Sequence, residues 1–496
     1  MRKTSLLGHR VVRSAAAFGL IAGLAACGTA AADGAGTGSG TDSGAATSTV
    51  ASLADNVESH ADSDDADYDA AEATTITLAD DATTTAGADT SGVTVDANTV
   101  TITTPGTYVL SGTLTDGHIV VDSAAEGKVR LVLDGVSITA SQGSPFVITA
   151  ADEAVVVLAD GTENTLVDGT YAETDDTDAP NAALYSMADL TIAGTGTLNV
   201  TGNANDGIAS KDGLVIQSGT IKVAAMDDGI RGKDYVIISG GDISIGANGD
   251  AIKSDNETDD TVGYIDIIDG TILIQAGDDG MHAEGDLVVE GGSVTVASSY
   301  EGLEGSTVTL AGGTTDVTSS DDGINVSAGG SSTGGGGGGE ASTGTALTIS
   351  GGTHTVTSNG DGLDSNGNLI ITGGTTVVNG PTGQGNGALD ANGEITVDGG
   401  SLIAAGSSGM AEVPGDASGQ GWVAVSQNVS AGQEVQIVSG SDVLATYTTV
   451  GAVQSIVASV DGIENGQTYT VVVDGSEVGT VTAGEFSGGG FGGGRP

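Results

Sequence analysis

Asp206-Gly207-Ile208, an acidic residue followed by a small residue and a hydrophobe, is one of several similar phrases along the chain. The acidic residues of the first three copies are 22 residues apart, and later steps measure 21 or 22 residues unless an insertion intervenes. A fixed period of this length predicts a solenoid, in which each repeat stacks on the next. The other copies are Asp228-Gly229-Ile230, Asp250-Ala251-Ile252, Asp279-Gly280-Met281, Glu301-Gly302-Leu303, Asp322-Gly323-Ile324 and Asp361-Gly362-Leu363.

The apolar residues after each copy keep one register. They stand 6, 8, 13 and 15 positions after the hydrophobe, which gives Leu214, Ile216, Ile221 and Val223 in the first repeat. Spacing by two is the spacing of a β-strand. Turns such as Gly240-Gly241 separate the two strands, because glycine adopts positive φ without steric cost. The pattern predicts an all-β protein that folds as a parallel β-helix.

The N-terminus predicts export and lipid attachment. Residues 1–27 combine basic residues with an apolar stretch too short for a transmembrane span, as secretion signals do. They end in Leu24-Ala25-Ala26-Cys27, which resembles a bacterial lipobox, so Cys27 is the expected lipidation site. Residues 28–72 contain few large hydrophobes and are expected to form a disordered tether. We therefore expect a lipoprotein on the extracellular face of the cell membrane, at the cell surface.

The remaining chain divides by its repeats. Residues 73–421 carry the phrase and are expected to form the β-helix. Residues 422–485 do not repeat the phrase at this period but keep strand patterns, which predicts a small C-terminal β cap over the open end of the solenoid. The Gly-rich residues 329–344 and 486–496 are expected to be an extruded loop and a flexible tail. Trp422, the only tryptophan, is expected in the core of the cap rather than as a sugar platform.

The charge of the chain favours cationic partners. Its 66 acidic and 12 basic residues give a formal net charge of −54, which disfavours nucleic acid and anionic lipid headgroups. Stacking would place one phrase carboxylate per repeat in a column, where neighbouring charges roughly 4.8 Å apart repel by about 3 to 4 kcal/mol.

Calcium fits such a column, because its ligands are oxygens at about 2.3 to 2.6 Å and one ion bridges two carboxylates on adjacent repeats. A single cysteine and few histidines exclude softer metals. The alternative is that the Asp-Gly phrases only form turns, through bonds from the aspartate to its own backbone. The candidate calcium ligands are Asp206, Asp227, Asp228, Asp250, Asp278, Asp279, Glu301, Asp321, Asp322 and Asp361.

Four of the eight basic residues that follow the signal segment stand beside the column, on three consecutive repeats. Cations of this kind bind uronate carboxylates through charge-assisted hydrogen bonds. A histidine and a tyrosine in the same turn region offer further contacts to a sugar. The alternative is that the four bases only balance the charge of the acids. The candidate carbohydrate ligands are Lys211, Arg231, Lys233, Lys253, His282 and Tyr300.

Several stretches carry a family resemblance, and together they span about residues 73–480. They are Gly106-Thr107-Tyr108-Val109-Leu110-Ser111-Gly112, Lys128-Val129-Arg130-Leu131-Val132-Leu133-Asp134-Gly135-Val136, Asn203-Ala204-Asn205-Asp206-Gly207-Ile208 and Thr468-Tyr469-Thr470-Val471. The chain resembles a bacterial family of secreted carbohydrate-binding β-helix proteins, known from cellulolytic clostridia as calcium-containing binders of cellulose and polygalacturonate and akin to pectate lyases. The resemblance implies a right-handed helix, calcium at the Asp-Gly positions and polysaccharide binding.

We therefore expect a surface-anchored, calcium-dependent protein that binds a plant-type or acidic polysaccharide, either uronate-containing or cellulose-like. A polysaccharide lyase is one alternative, in which calcium acidifies the uronate α-proton and one of the four bases removes it. The repeats contain no conspicuous catalytic phrase, which favours a binding protein over an enzyme. A second alternative is a calcium-stiffened stalk or adhesin that has no sugar site.

Overall fold

The computed structural model describes residues 53–87, 89–327 and 344–486. These ranges contain strands and no α-helix, and 37 of the described strands belong to one sheet. The prediction of an all-β protein is confirmed. No helix in the described part of the chain has the length and apolarity needed to cross a membrane. The signal segment 1–27 with Cys27, and most of the two Gly-rich segments, lie outside the described residues.

Most strands pair in parallel with the strand three places further along the chain. For example, β14 (Asp206–Ser210) pairs with β17 (Ile230–Gly232), which pairs with β20 (Ile252–Ser254). Each of these repeats therefore contributes three strands, one more than the sequence predicts, because the hydrophobe of the acidic phrase lies in a strand of its own. This period is consistent with the predicted β-helix. We name the three sets of stacked strands ladders A, B and C.

Ladder A consists mainly of the strands that follow the acidic phrase. Its members are β1 (Thr74–Leu78), β5 (Gly106–Leu114), β7 (Lys128–Thr139), β9 (Glu153–Leu158), β12 (Leu190–Gly194), β15 (Gly213–Ile216), β18 (Tyr235–Ile238), β21 (Tyr264–Ile267), β23 (Met281–Val289), β25 (Leu303–Leu310), β28 (Ala346–Ile349), β31 (Asn368–Ile371) and β34 (Ile395–Val397). At its start β2 (Thr84–Ala86) pairs antiparallel with β1.

Ladder B follows the Gly-rich turns. Its members are the ends of β5 and β7, then β10 (Glu163–Val167), β13 (Thr197–Gly202), β16 (Thr220–Ala225), β19 (Asp242–Ala247), β22 (Thr271–Gln275), β24 (Ser293–Ser299), β26 (Thr314–Ser319), β29 (Thr353–Thr357), β32 (Thr375–Asn379) and β35 (Ser401–Gly406). Alternate residues of these strands face the core, as in the buried Ile243 and Ile245 of β19.

Ladder C carries the acidic phrase. Its members are β4 (Thr99–Ile102), β6 (His118–Asp122), β8 (Phe146–Ala150), β11 (Ala182–Ser186), β14, β17, β20, the first residues of β23 and β25, β27 (Ile324–Val326), β30 (Leu363–Ser365) and β33 (Leu389–Ala391). At its start β3 (Val93–Asp96) pairs antiparallel with β4.

The core lies where the repeat predicts it. In the repeat that begins at Asp228, the four apolar offsets are occupied by residues that are exposed by 2% or less, Val236, Ile238, Ile243 and Ile245. The turn glycine Gly241 has φ 101°, a conformation that favours glycine. The phrase glycine Gly207 has a different reason, since a Cβ there would lie 2.3 Å from Cγ1 of Val223. Close stacking of neighbouring strands therefore requires a small residue in the phrase.

Residues 53–72, which we name the strap, lie against the outer face of ladder A. Leu53 and Ala61 are buried with Val215 and Tyr235 in a satellite apolar cluster. The N–H of Val57 donates to the carbonyl of Thr261 over 2.9 Å. The sequence predicts a disordered tether as far as residue 72, and the structure differs in this part. The strap is held because ladder A presents apolar side chains on its outer face that need cover.

Charged contacts also hold the strap. Lys128 of β7 bonds to the buried carboxylate of Asp65 and lies 2.9 Å from Oδ2 of Asp62. His60 contacts the hydroxyl of Tyr235 through Nδ1 over 2.7 Å and that of Thr191 through Nε2 over 3.0 Å. These contacts between residues far apart in sequence anchor the strap to the sheet.

The C-terminal segment adds two strands to the large sheet and forms a second sheet of its own. The strands β36 (Val423–Val429) and β39 (Val453–Ser459) pair antiparallel with each other, and β39 also pairs with β35. A separate antiparallel sheet contains β37 (Glu434–Ser439), β38 (Asp442–Thr448), β40 (Thr468–Val473) and β41 (Ser476–Thr482). A second apolar core joins both parts to the end of ladder B. Trp422 is 5% exposed at the start of this segment.

Candidate functional site

The carboxylates of the repeated phrase follow one another along the stacked repeats, and we name them the acidic column. Backbone hydrogen bonds join its first members. The N–H of Asp228 donates to Oδ1 of Asp206 over 3.2 Å, and the same bond joins Asp250 to Asp228 over 3.0 Å and Asp279 to Asp250 over 2.9 Å. One oxygen of each aspartate is thus used by the backbone of the next repeat. The members of the acidic column are Asp206, Asp228, Asp250, Asp279, Glu301, Asp322 and Asp361.

The second oxygens at the start of the column face basic side chains. Arg231 bonds to Asp255 and lies 3.7 Å from Oδ2 of Asp206. Lys253 lies 2.6 Å from Oδ2 of Asp250 and 3.8 Å from that of Asp228. Arg231 and Lys253 therefore balance the charge of the column, which is the alternative role that the sequence leaves open for them.

Burial opposes the charge of these acids. Burial, with a smaller effect of the neighbouring Asp228, raises the pKa of Asp206 to about 7. Burial also raises the pKa of Asp228 to about 6. Arg231 and Lys253 act in the opposite direction on Asp206 and Asp228, respectively. The basic partners therefore offset only part of the desolvation of the column.

A second series of side chains runs beside the acidic column, one position after the hydrophobe of each repeat. We name it the flanking column, and its members are register partners on adjacent parallel strands. The sign of its charge changes along the chain, from basic residues to acidic ones. In order, the flanking column contains Arg231, Lys253, His282, Glu304, Asn325, Asp364 and Asp390.

His282 stands at the point where the sign changes. Its Nδ1 lies 2.7 Å from Oε2 of Glu304 and 3.3 Å from Oδ2 of Asp279. Burial lowers the pKa of His282, but bonds to Asp279 and Glu304 outweigh this and raise it to about 11. An imidazolium at this position is a cation that belongs to the protein, and it supplies the last basic member of the flanking column.

Beyond His282 the columns bring carboxylates together. Asp322, Asp361 and Asp364 each offer an oxygen, and these oxygens lie within 4.8 Å of one another. Burial is the largest cause that raises their pKa values, to about 6 for Asp322, about 7 for Asp361 and about 8 for Asp364. None of the ion pairs within residues 53–87, 89–327 and 344–486 includes any of the three. We name them the carboxylate triad.

Three other groups in the described residues could hold a metal, and one of them, Asp62, Asp64 and Asp65 on the strap, is bonded to Lys128. Asp250, Asp278 and Asp279 have oxygens within 4.8 Å of one another, but Lys253 and His282 lie against two of them. His282 itself forms a group with Asp279 and Glu304. A basic side chain of the protein already lies beside each of these three groups, so the carboxylate triad is the group of the described residues that has no such partner.

The remaining predicted calcium ligands belong to none of the groups in the described residues whose ligand atoms all lie within 4.8 Å of one another. Glu301 accepts a bond of 2.8 Å from the side-chain amide of Asn325, and burial raises its pKa to about 8. The other predicted ligands outside these groups are Asp206, Asp227, Asp228 and Asp321.

The predicted carbohydrate ligands fall into two sets. Arg231, Lys253 and His282 are engaged with the acids described above. Lys211 and Lys233 are in none of the ion pairs of the described residues, and the Lys233 side chain is exposed. Burial and the nearby Arg231 lower the pKa of Lys211. Both lysines are therefore available to an anionic ligand.

Tyr300 is 48% exposed beside the column. A hydrogen bond to Asp321 is the largest cause that raises its pKa to about 12, so its phenol stays protonated at neutral pH. An exposed aromatic ring next to polar groups is suited to stacking on a sugar face.

Sequence reasoning missed the acidic half of the flanking column. The offset that identifies Arg231 and Lys253 also leads to Asp364 and Asp390, and following it through every repeat would have found them. Glu412 was missed as well, since it lies outside the repeats. Its Oε2 accepts the N–H of Ala391 over 3.0 Å, and burial raises its pKa to about 7.

Comparison with known proteins gives the family of this repeat region. The family model of "Carbohydrate-binding domain-containing protein" matches residues 96–346, half of the chain. The chain belongs to this carbohydrate-binding domain family. A relative of that description from Acetivibrio thermocellus is 47% identical over 208 residues, which cover 42% of this chain and 73% of the relative.

A solved structure is also similar in sequence. It is described as "Structure of the polysaccharide lyase-like protein from C. thermocellum, Gadolinium derivative". It is 37% identical, and the match covers 49% of this chain and 93% of that chain with a TM-score of 0.41.

Proposed function

We propose that this member of the carbohydrate-binding domain family binds acidic polysaccharide in a calcium-dependent manner at the cell surface. The carboxylate triad is the observation that carries the proposal. Three half-buried carboxylates lie close together without a basic partner in the described part of the chain, so their negative charge favours a bound cation. The family description supports a polysaccharide as the ligand.

The fold that we infer for this function is a right-handed parallel β-helix. The three-strand period of the parallel pairing supports the helix. Parallel strands joined within one sheet cross over with a right hand in nearly all proteins, which supports its handedness. In such a helix the acidic and flanking columns run along one side, where a linear glycan can lie across many repeats.

Calcium is the cation that suits the carboxylate triad. The oxygens lie within 4.8 Å of one another, and ligands at about 2.3 to 2.6 Å on opposite sides of one ion span this separation. The donors are carboxylate oxygens, which hard cations prefer, and magnesium requires a tighter octahedral arrangement. Bound calcium would neutralise part of the triad and offer open coordination positions to a uronate carboxylate.

The proposed glycan contacts are the two lysines that form no ion pair within the described residues. Lys211 and Lys233 offer ammonium groups to uronate carboxylates, and Tyr300 offers a ring face to a sugar. Arg231 and Lys253 serve the column instead. A uronate polymer suits this surface better than a neutral glucan, because only the former bridges to both calcium and lysine.

A specific observation favours a polysaccharide lyase as the second candidate function. The lowered pKa of Lys211 increases the fraction of neutral amine near neutral pH, which is the form that acts as a base. In β-elimination this amine would take the α-proton of a uronate while the bond to the leaving glycosidic oxygen breaks. The binding function remains the first proposal, because the carboxylate triad belongs to repeats further along the chain than Lys211.

We also propose that the protein reaches the cell surface as a lipoprotein attached to the membrane through Cys27. The lipobox-like Leu24-Ala25-Ala26-Cys27 supports this attachment. The acidic chain itself is not suited to anionic lipid headgroups, so the lipid anchor would be its contact with the membrane.

Co-sedimentation with insoluble polygalacturonate tests the proposal. The protein is expected to sediment with the polymer in calcium and to stay in solution in a chelator. Recording the absorbance of unsaturated product in the same samples separates a lyase from a binding protein. Absence of both sedimentation and product in calcium would contradict both candidates and favour a calcium-stiffened stalk.

A further inference from the structure

A pocket lies between the strap and the outer face of ladder A, away from both columns. Its volume is about 230 Å³, and its walls include Leu53, Ile237 and Tyr264. Drug-sized ligands occupy pockets of roughly 300 to 1,000 Å³. This pocket therefore suits a single small ring rather than a polymer. The ring of Tyr264 is fixed by a bond of 2.9 Å from its hydroxyl to the carbonyl of Val57 and by stacking on Tyr235.

Two polar groups that line the pocket lack partners. Asp266 is 1% exposed, and its Oδ1 has no hydrogen-bond partner among the described residues. The buried side-chain nitrogen of Asn56, on the strap, also lacks one. An unsatisfied acceptor and an unsatisfied donor are costly to bury, since each loses its bonds to water. A ligand that supplies one donor and one acceptor would satisfy both.

The electrostatics of the pocket favour an uncharged ligand. Burial, with a smaller effect of Glu290, raises the pKa of Asp266 to about 8, so this carboxyl is mostly protonated at neutral pH. The lining residues include no lysine or arginine, and Glu58, the other acid among them, is exposed, so solvent and salt screen its charge. An anionic sugar would find no cation there, and a cationic ligand would find little negative charge on Asp266.

We propose that this pocket binds one neutral sugar residue through Asp266 and Asn56. Sugar hydroxyls both donate and accept hydrogen bonds, so one hydroxyl bonds to Oδ1 of Asp266 and another accepts from the amide of Asn56. The apolar face of the ring packs on Tyr264 and Ile237. This inference rests on the proposed carbohydrate-binding function, but it concerns a neutral sugar and a different surface. The strap residues of the pocket come before residue 96, where the match to the family model begins. This side of the pocket therefore lies outside the matched region.

Saturation-transfer NMR titrations with methyl glucoside, methyl galactoside and methyl xyloside test this site. Wild-type protein is expected to bind at least one of the three saturably. Asp266→Ala should weaken that binding roughly tenfold or more, as expected for loss of a buried hydrogen-bond partner. Ala54→Trp, at an exposed strap position that lines the pocket, should block it sterically. Asp260→Ala removes an exposed carboxylate elsewhere and should leave the affinity unchanged.

The same protein samples are tested for polygalacturonate binding in calcium, which separates this inference from the proposed function. Failure of all three glycosides with polygalacturonate binding intact would overturn the pocket and leave the proposed function standing. Glycoside binding without polygalacturonate binding would contradict the proposed function and support the pocket. If both Asp266→Ala and Ala54→Trp bind the glycoside as tightly as the wild type does, the glycoside binds elsewhere and the inference is overturned.

Discussion

His282 and Glu304 are register partners on adjacent parallel strands, and Nδ1 of the histidine lies 2.7 Å from Oε2 of the glutamate. Before this pair the flanking column supplies Arg231 and Lys253 to the acids beside it. After the pair it supplies Asp364, which adds to the negative charge. The protein thus neutralises the first part of the acidic column with its own side chains, and we propose that an external cation neutralises the later part.

Breaking this pair should destabilise the fold. His282→Asn removes the cation that faces Glu304 and Asp279, and we expect the free energy of unfolding to fall by about 1 to 3 kcal/mol, the usual cost of leaving a buried polar group without its partner. Denaturant unfolding of His282→Asn, Glu304→Gln and the double variant forms a double-mutant cycle. We expect a smaller loss in the double variant than the sum of the single losses. Additive losses would show that the pair is not coupled.

Calcium should raise the melting temperature, and more so at pH 8 than at pH 5.5. The pKa values of Asp322, Asp361 and Asp364 are raised to about 6, 7 and 8, so the protonated forms are favoured in the folded state. Their contribution to stability is present at low pH and is lost as the pH rises through 6 to 8. If calcium binds the ionised form, as we propose, it should restore stability by about 2.7 kcal/mol at a hundredfold excess over Kd.

Two variants check the calcium prediction by differential scanning calorimetry. Asp364→Asn should reduce the calcium-dependent shift, because it removes a charged ligand from the triad. Asp316→Asn is the matched control, since Asp316 is exposed on β26 and belongs to none of the groups of clustered metal ligands in the described part of the chain. A shift of equal size in Asp364→Asn and the control would place the calcium elsewhere. Identical melting with calcium and with chelator would contradict calcium binding itself.

Replacing Lys211 and Lys233 together with glutamine should weaken polygalacturonate binding roughly tenfold or more and leave the melting temperature nearly unchanged. Each ammonium offers a charge-assisted bond to a uronate, while neither is in an ion pair within the described residues. Lys222→Gln is the control, because Lys222 is exposed on the outward face of β16. Unaltered binding in the double variant, measured by affinity electrophoresis, would exclude these lysines from the site.

The lipid anchor makes a separate prediction. Cys27→Ser removes the thiol to which a lipid would be attached, so the variant should leave the membrane fraction or remain unprocessed. Fractionation of producing cells, followed by blotting, measures this. Equal membrane retention of the variant and the wild type would reject the anchor.

The sequence predicts the core of this protein well and its strap poorly. Leu214 and Ile216 are predictable as core residues because spacing by two within a fixed period determines which side chains point inward. The strap has a polar composition that resembles a tether, and its packing depends on a distant outer face. The consecutive hydrophobes Val236, Ile237 and Ile238 were the available signal, since a strand that is apolar on both faces must be covered on both.

The site was predictable to a similar degree. The phrase itself gives Asp322 and Asp361, and their stacking follows from the repeat. Their contact with Asp364 depends on the register across the longer step between these repeats, which only the strand pairing supplies. The engagement of Arg231 and Lys253 with the column could not be separated from glycan binding in the sequence, because both roles require a base at the same offset.

The affinity for polygalacturonate as a function of calcium concentration measures whether the carboxylate triad forms a calcium-dependent polysaccharide site. Wild-type protein and Asp316→Asn should bind tightly in calcium and lose the polymer in chelator, whereas the Asp361→Asn/Asp364→Asn double variant should bind weakly at every calcium concentration. Circular dichroism of the same samples checks that the double variant is folded. Equal affinity in chelator and in calcium, or a folded double variant that binds like the wild type, would contradict a calcium-dependent polysaccharide site at the carboxylate triad.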